Sequence, residues 1–280
     1  MNKYEDEEML HVKNGDVEYI QFKVLNKYNV KHCITLRHGG VSTNEHNSLN
    51  FRNKGTDKIE NVKENLRIIR EELDFSNVYK ANQEHTDIVI HINSNNKENY
   101  LAYEGAIEEK ADGYIVNEKK IATLITTADC NPIIIYDPVK HVIANVHAGW
   151  KGVINRIYVN AIKKMENEFG SKAEDLIVCV GPSIRKCCFT SEEDSFKENF
   201  NSVFDYEEKY LEYENNSNRF HIDLIVILKE ELKKAGIVDE NIHVANICTR
   251  CNTEDFFSYR ESCQKGMKDY GTMATIVELM

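Results

Sequence analysis

The sequence has little of what marks linkers, membrane spans or nucleic-acid-binding surfaces. It contains three prolines in 280 residues and no internal repeat or low-complexity tract. We therefore expect a single domain over residues 1–280, with its core from about residue 17. The longest apolar runs have the length of a strand, whereas a membrane-spanning helix needs roughly 20 apolar residues. A formal net charge of −11 disfavours binding to nucleic acids or anionic membranes.

The N-terminal segment and the cysteines predict a cytoplasmic protein. Four of residues 1–8 are acidic and no apolar stretch follows them, so a secretory leader is not expected. Eight cysteines in a chain of this length predict reduced thiols and metal ligands rather than a disulfide framework. The sequence carries no signal for the oligomeric state.

The hydrophobic patterns predict a mixed α/β fold. Asp57 and Glu60 indicate a capping box at the first long helix, and a glycine follows two later helices. Strands and helices do not alternate strictly, so we expect mixed sheets covered by helices. Strands are expected at 17–24, 31–36, 78–79, 88–92, 176–180, 243–247 and 274–279, and helices at 58–73, 153–169, 191–215 and 223–235.

Two apolar segments on either side of Asp137-Pro-Val-Lys140 predict a β-hairpin that carries a cysteine and a histidine. If Asp137 pairs with Lys140, Cys130 pairs with His147, and their Cβ atoms lie roughly 4.5–5.5 Å apart on one face. Both residues could then bind one metal ion. A register shift of one residue would place them on opposite faces. The alternative is a buried structural cysteine and a hydrogen-bonded core histidine.

A hydrolytic zinc site needs a third protein ligand and one open position. His85 is a candidate because it follows two polar residues directly before an apolar strand; alternatively it is a surface or capping histidine. Asp129 could orient a metal-bound water or take its proton, or it could simply form a turn. Lys151 lies at the start of a helix, where backbone N–H groups favour an anion such as phosphate. Arg37 is a further cationic candidate.

The motif Cys248-x-x-Cys251 is a second, competing metal signal. Alone it lacks another pair of ligands, although Cys187 and Cys188 could approach it and complete a structural zinc site. The remaining cysteines at 33, 179 and 263 are interpreted as packing residues.

A set of short motifs follows in one order along the chain: Arg37-His-Gly-Gly-Val-Ser42, Gln83-Glu-His85, Ala111-Asp-Gly113, Thr127-Ala-Asp-Cys130, His147-Ala-Gly-Trp-Lys-Gly152, Gly181-Pro-Ser-Ile184 and Cys187-Cys188. Together these motifs resemble the YfiH/PgeF family of laccase-domain proteins. The resemblance extends from about residue 20 onward, and its most specific part is the Thr-Ala-Asp-Cys and His-Ala-Gly-Trp pair.

This resemblance implies a metal site of His85, Cys130 and His147, with zinc as the metal and copper as the alternative. It implies an α/β/β/α fold of two mixed sheets between helical layers. We expect Cys130, His147 and Asp129 to act in catalysis. Arg37, its neighbour His38 and Lys151 are expected to bind substrate.

The activities implied by the resemblance are phosphorolysis of adenosine, inosine and methylthioadenosine and hydrolytic deamination of adenosine. The expected partners are therefore a purine nucleoside and phosphate. Two alternatives belong to other classes. One is a copper-dependent phenol oxidase, because a His₂Cys set also suits copper. The other is a metal-free Cys130–His147 hydrolase that edits peptidoglycan precursors.

The sequence departs from the family pattern around the expected substrate site. Glu84 replaces an apolar residue, Thr86 a small residue and Ser183 a common cysteine. Lys151 replaces arginine, which keeps the charge but not the bidentate geometry. Tyr270-Gly-Thr272 stands where Thr-Gly-Arg is usual.

Overall fold

Two six-stranded mixed sheets form the centre of the protein. The structure, a computed structural model, describes residues 2–215 and 217–280. In the first sheet all neighbouring strands are antiparallel except the last pair. Its spatial order is β1 (Met9–Asn14), β2 (Val17–Phe22), β3 (Val30–Thr35), β15 (Met273–Leu279), β7 (Ala122–Thr127) and β4 (Val78–Tyr79).

The second sheet has an antiparallel centre and a parallel pair at each edge. Its order is β14 (Ile242–Val244), β10 (Ile177–Val180), β8 (Asn131–Asp137), β9 (Val142–Ala148), β6 (Gly113–Val116) and β5 (Val89–His91). A small antiparallel sheet consists of β11 (Thr190–Ser191), β13 (Phe220–Ile222) and β12 (Leu211–Tyr213).

Helices cover the outer faces of the two large sheets. None of the helices in the described residues is both long and apolar enough to cross a membrane. The α-helices are α1 (Ile59–Leu73), α2 (Trp150–Ile154), α3 (Ile157–Phe169), α4 (Asp194–Asn201), α5 (Glu207–Tyr210), α6 (Leu224–Lys234) and α7 (Tyr259–Gln264). Short 3₁₀ helices lie at Leu25–Lys27, Asn44–His46, Lys97–Tyr100, Ala173–Asp175 and Asp239–Asn241.

The buried residues form three layers that explain this arrangement. Ile34 and Ile125 of the first sheet pack against Ile134 and Ile143 of the second in a core between the sheets. Helix α1 packs on the outer face of the first sheet, and α3 and α6 pack on the outer face of the second. The predicted α/β/β/α architecture is confirmed. Strand β1, upstream of the core start predicted at residue 17, extends the first sheet.

The β8–β9 hairpin forms, but its predicted register is wrong by two residues. Asp137 pairs with Val142 rather than Lys140, and Pro132 rather than Cys130 lies opposite His147. A two-residue hairpin loop needs positive φ at its first position, which Pro138 cannot adopt. The loop therefore takes two more residues and closes through His141, whose φ is 54°.

Other local predictions also need correction. The helix predicted at 153–169 is broken into α2 and α3 by Arg156, whose φ is 55°. The capping box is wrong: Lys58 is the N-cap of α1 and no side chain caps it. The segment 191–215 contains α4 and α5 but ends in strand β12. Cys263 is exposed rather than packed.

Candidate metal centre and substrate cleft

The structure brings His85, Cys130 and His147 together. One ligand atom from each lies within 4.8 Å of the others, and His85 Nε2 is 3.6 Å from Cys130 Sγ. The two imidazole rings meet edge to face, with centroids 4.8 Å apart. His147 lies on β9 and is buried, Cys130 directly precedes β8, and His85 lies in the exposed loop between β4 and β5.

Cys130 and His147 share a face although they are not direct partners. In the observed register His147 lies opposite Pro132, and Cys130 is two residues before Pro132. Side chains two residues apart point to the same face of a strand. A shift of two residues therefore keeps the pair on one face, whereas a shift of one would have separated them.

Asp112 holds both histidines. Its carboxylate accepts a hydrogen bond from His147 Nδ1 at 2.8 Å and from the His85 backbone N–H at 2.9 Å. It also accepts bonds from the backbone N–H groups of Glu84 and Thr86. Burial alone would raise the pKa of Asp112, but the His147 and Thr86 contacts lower it to about 2. Asp112 thus stays ionised, and it directs the other ring nitrogen of His147 towards Cys130.

Gly149 leaves the space that this group of side chains needs. A Cβ atom at this position would lie 2.6 Å from His85 Cδ2 and 3.0 Å from Cys130 Sγ. Its backbone is extended, with φ −67°, a conformation open to any residue. Glycine is therefore needed here for the space it leaves and not for its backbone conformation.

The electrostatics of the site favour a thiolate. Burial would raise the pKa of Cys130, but the charge and hydrogen bond of His147, with the hydrogen bond of His85, lower it to about 7. Burial would also lower the pKa of His147, but the Cys130 thiolate and Asp112 raise it to about 9. One thiolate and two imidazoles, held from behind by a carboxylate, are a donor set that fits zinc or copper.

Asp129 points its carboxylate into the protein. One oxygen accepts a hydrogen bond from Thr249 Oγ1 at 2.7 Å, and the other accepts bonds from Ser258 Oγ and the Arg260 backbone N–H. Burial raises the pKa of Asp129, which these hydrogen bonds only partly oppose. The carboxylate therefore joins three segments next to Cys130. Its predicted role in proton transfer stays a prediction.

A cleft of about 410 Å³ opens on one side of the three residues, and its wall is rich in cations. Lys80 is 7% exposed and makes no ion pair or side-chain hydrogen bond with the residues described. Burial, followed by the charge of Lys54, lowers the pKa of Lys80 to about 8. Arg52, stacked on Tyr270 at 4.2 Å, and Lys151 complete the cationic wall.

On the other side lies a smaller cavity of about 230 Å³ with apolar walls. Phe189 and Phe196 line it together with Ile184 and Leu224. Five residues belong to both spaces, so the cationic cleft and the apolar cavity meet at the predicted metal ligands; they are His85, Ala128, Cys130, Trp150 and Tyr259.

Of the predicted substrate-binding residues, Lys151 lines the cleft, whereas Arg37 and His38 do not. The Arg37 guanidinium donates to the backbone carbonyls of Asn47 and Thr253. His38 Nε2 lies 2.8 Å from an Asp255 carboxylate oxygen. In the structure, both side chains thus connect loops outside the cleft.

The comparisons with known proteins agree with the motifs. Residues 31–280 match the model of the family described as multi-copper polyphenol oxidoreductase laccase. The chain belongs to this laccase family.

Relatives with similar sequences carry the name purine nucleoside phosphorylase. The protein of that name from Bacteroides thetaiotaomicron is 29% identical over 257 residues, which are 88% of this chain and 92% of that protein. One from Clostridium acetobutylicum is 32% identical over 76% of this chain and 82% of its own length. The fold matches the crystal structure of Bacillus licheniformis YfiH with a TM-score of 0.86 and 24% identity, over 98% of this chain and 100% of that one.

Sequence reasoning missed Asp112, Lys80 and Arg52. Asp112 is part of the Ala111-Asp-Gly113 motif, but the motif alone assigns it no role. Lys80 follows strand β4. It is buried because the 97–107 region packs beside it, and the sequence does not predict this contact. The signal that could have identified Lys80 is a lysine directly after an apolar strand, a place where a buried charge needs a partner or a ligand.

Proposed function

We propose that the protein is a zinc-dependent purine nucleoside phosphorylase acting on adenosine, inosine and methylthioadenosine, with a second activity as an adenosine deaminase. The observation that carries the proposal is the meeting of a cationic cleft and an apolar cavity at His85 and Cys130. Phosphorolysis of a nucleoside brings an apolar base and an anion, phosphate, to the same carbon of the sugar. The names of the similar proteins support the phosphorylase part of this proposal.

Phosphate binds on the side of Lys80 in this proposal. Among the described residues the Lys80 ammonium group has no counterion, only the ring of Tyr103, whose centroid is 5.1 Å away. An anion in the cleft would supply the missing counterion. Lys54, whose charge acts on Lys80, and Arg52 and Lys151 add positive charge on the same wall. Charge-assisted hydrogen bonds from such groups suit phosphate oxygens.

The purine base enters the apolar cavity. Phe189 and Phe196, with Trp150 at the junction, offer aromatic surfaces to a flat heterocycle. Trp150 and Phe196 already pack edge to face, with ring centroids 5.1 Å apart. The ribose then lies at the junction, with its anomeric carbon facing the phosphate.

The reaction exchanges one bond to the anomeric carbon for another. An oxygen of hydrogen phosphate forms a bond to C1′ while the C1′–N9 bond breaks and its electron pair moves to the purine. The proton of the hydrogen phosphate ends on the released base, and ribose 1-phosphate is the other product. The cations of the cleft orient the phosphate, and the cavity excludes water from the bond that breaks.

His85, Cys130 and His147 would hold the metal ion. When bound, zinc supplies a Lewis acid and the means to activate water, which hydrolytic deamination of adenosine requires. The chain itself contributes the thiolate, the orientation of both imidazoles by Asp112, and the space above Gly149.

Product analysis with adenosine tests the proposal. With phosphate, the wild-type protein should release adenine and ribose 1-phosphate; without phosphate, it should release inosine alone. Cys130→Ala should reduce both reactions by at least the roughly 10–100-fold that loss of an outer-shell partner costs a metal site. Cys263→Ser, which replaces an exposed cysteine that is not a predicted metal ligand and keeps a hydrogen-bonding group for Tyr259, is the matched control. Unchanged adenine formation in Cys130→Ala would refute the proposal.

A metal-free hydrolase is the second candidate, because Cys130, His147 and Asp112 also have the order of a nucleophile, a base and an orienting carboxylate. Activity that survives a chelator but not thiol alkylation would establish it. Metal analysis of protein purified without added metal separates zinc from the copper that a phenol oxidase needs.

A further inference from the structure

A second group of cysteines lies apart from the three predicted ligands. The Sγ atoms of Cys187, Cys188, Cys248 and Cys251 all lie within 4.8 Å of one another. Cys251 Sγ is 3.7 Å from Cys187 Sγ and 3.4 Å from Cys188 Sγ, and the adjacent pair is 3.8 Å apart. All four are free thiols.

Two turns, far apart in sequence, carry these cysteines. Cys187 and Cys188 follow Arg185, whose carbonyl accepts the Cys188 backbone N–H. Cys248 and Cys251 flank Thr249, and a parallel bridge between Ser183 and Cys248 joins the two segments. In this bridge the Thr249 N–H donates a hydrogen bond to the Ser183 carbonyl at 3.1 Å. Backbone contacts, rather than chance contacts of exposed side chains, therefore bring the sulfurs together.

The separations among the sulfurs of Cys187, Cys188 and Cys251 match those around a tetrahedral ion. Four thiolates at about 2.3 Å from a zinc ion are roughly 3.8 Å from one another, whereas a disulfide would bring two sulfurs to about 2.05 Å. We propose that Cys187, Cys188, Cys248 and Cys251 bind a structural zinc ion in a second, four-cysteine site. With four protein ligands the site has no open position, so its role is structural rather than catalytic.

The surroundings of the cluster suit a negatively charged zinc–tetrathiolate group. Cys248 is buried and its Sγ accepts the Arg185 backbone N–H at 3.5 Å. The Arg185 side chain folds over the same turn and donates to Ser183 Oγ and the Gly181 carbonyl. Hydrogen bonds to sulfur and a nearby guanidinium stabilise thiolates that share one ion.

The zinc would also fix one wall of the substrate site. Thr249, between the two cysteines of the Cys-x-x-Cys motif, donates to Asp129, the residue before Cys130. Arg260 connects the other turn, since its Nη1 donates to the Cys188 carbonyl while its backbone N–H donates to Asp129. The four-cysteine site thus holds the two segments that hold Asp129.

Metal analysis of a double variant tests the second site. Cys187→Ser/Cys251→Ser changes two exposed side chains, so little packing is lost. We expect it to contain one zinc ion fewer per chain than the wild type, while Cys263→Ser keeps the full content. The comparison is independent of the first site, because Cys130→Ser should remove a different ion and leave the four-cysteine zinc in place.

Alkylation of the wild-type protein gives a test that needs no variant. Cys187, Cys251 and Cys263 are all exposed, so the labelling of each thiol can be compared before and after a chelator removes the zinc. We expect iodoacetamide to modify Cys263 in both states and to modify Cys187 and Cys251 only after chelation, as read by peptide mass. Labelling of Cys187 and Cys251 that chelation does not increase, an unchanged zinc content in the double variant, a disulfide among the four cysteines, or copper in place of zinc would each overturn the proposal.

Discussion

At the scale of single residues, Asp112 connects the parts of the metal centre. It directly precedes β6. Its carboxylate accepts hydrogen bonds from His147 on the neighbouring strand and from three backbone N–H groups of the loop that carries His85. His85 itself has a φ of 60°, a conformation that few residues adopt without support. Asp112 therefore fixes a loop and a ring together.

Replacing Asp112 by asparagine should loosen both the loop that carries His85 and the ring of His147. The amide keeps the size of the side chain but lacks the charge and presents an NH₂ group to donors that need an acceptor. We expect metal affinity to fall by roughly 10–100-fold, as for other outer-shell partners, in a competition titration against a chromophoric chelator. Asp223→Asn is the control, because Asp223 also accepts backbone N–H groups but caps α6 instead. Wild-type affinity in Asp112→Asn would show that the carboxylate does not orient the ligands.

Lys80 makes the proposed phosphate site sensitive to pH. Its burial lowers its pKa to about 8, so raising the pH through this value removes the charge that would hold the anion. A charged hydrogen bond is worth about 1.5–3 kcal/mol, so the KM for phosphate should rise by roughly 10–100-fold above the pKa. Steady-state kinetics across this pH range measure the change. Lys80→Met should show a high KM and lose this pH dependence; a variant with the wild-type profile would exclude Lys80 from the site.

At the scale of elements, the β8–β9 hairpin shows what the sequence can predict and where it fails. Two apolar runs and a turn were enough to predict the hairpin and the shared face of Cys130 and His147. Pro138 is enough to exclude a two-residue loop, but the actual loop length was not predictable from the turn residues, because it depends on the positive φ of His141. The prediction that Cys130 and His147 share a face was still correct, because the register was wrong by an even number of residues. The position of His85 before an apolar strand made it only a candidate, and the family resemblance made it the expected third ligand, since its loop has no periodic pattern.

Gly149 lies at the turn from β9 into α2. A substitution at this position tests whether the space beside His85 and Cys130 matters for activity. An alanine at this position keeps an allowed backbone, but its Cβ collides with His85 and Cys130. A displacement of about 1 Å at a reacting centre can cost about 100-fold, so we expect Gly149→Ala to lower kcat/KM by roughly 10–100-fold with little loss of thermal stability. In Gly152→Ala the new Cβ would instead meet Ile157 Cγ2 at 3.3 Å, so this control should keep its activity. Equal activities in the two variants would contradict the steric argument.

At the scale of the whole molecule, the two large sheets are joined by a buried amide as well as by their apolar core. Asn145 on β9 donates to the backbone carbonyls of Thr123 and Thr275, both at 3.0 Å, on two strands of the other sheet. Periodicity predicted the strands but not these pairings. The order of the first sheet depends on contacts between distant segments, and the mixed polar sequence of β1 has too weak a pattern to predict its place.

Asn145→Ala should destabilise the fold as a whole. The variant loses two hydrogen bonds and leaves a small cavity between the sheets, so the free energy of unfolding should fall by about 2–4 kcal/mol. Urea denaturation followed by circular dichroism measures the loss. Asn160→Ala, which removes one exposed contact to the Asp87 carbonyl, should change the free energy of unfolding by less than about 0.5 kcal/mol. Similar losses in both variants would mean that Asn145 does not join the sheets.

The position of β15 has a consequence for the order in which the protein can fold during synthesis. This strand lies between β3 and β7, yet it follows both in sequence. Until the ribosome has released residues 273–279, the first sheet consists of two separate pieces, and each has an open edge that can pair with the wrong partner. The second sheet depends on a late strand only at its β14 edge, and His85, Cys130 and His147 all precede that strand. The metal ligands can therefore come together on the second sheet of a nascent chain before the first sheet is complete.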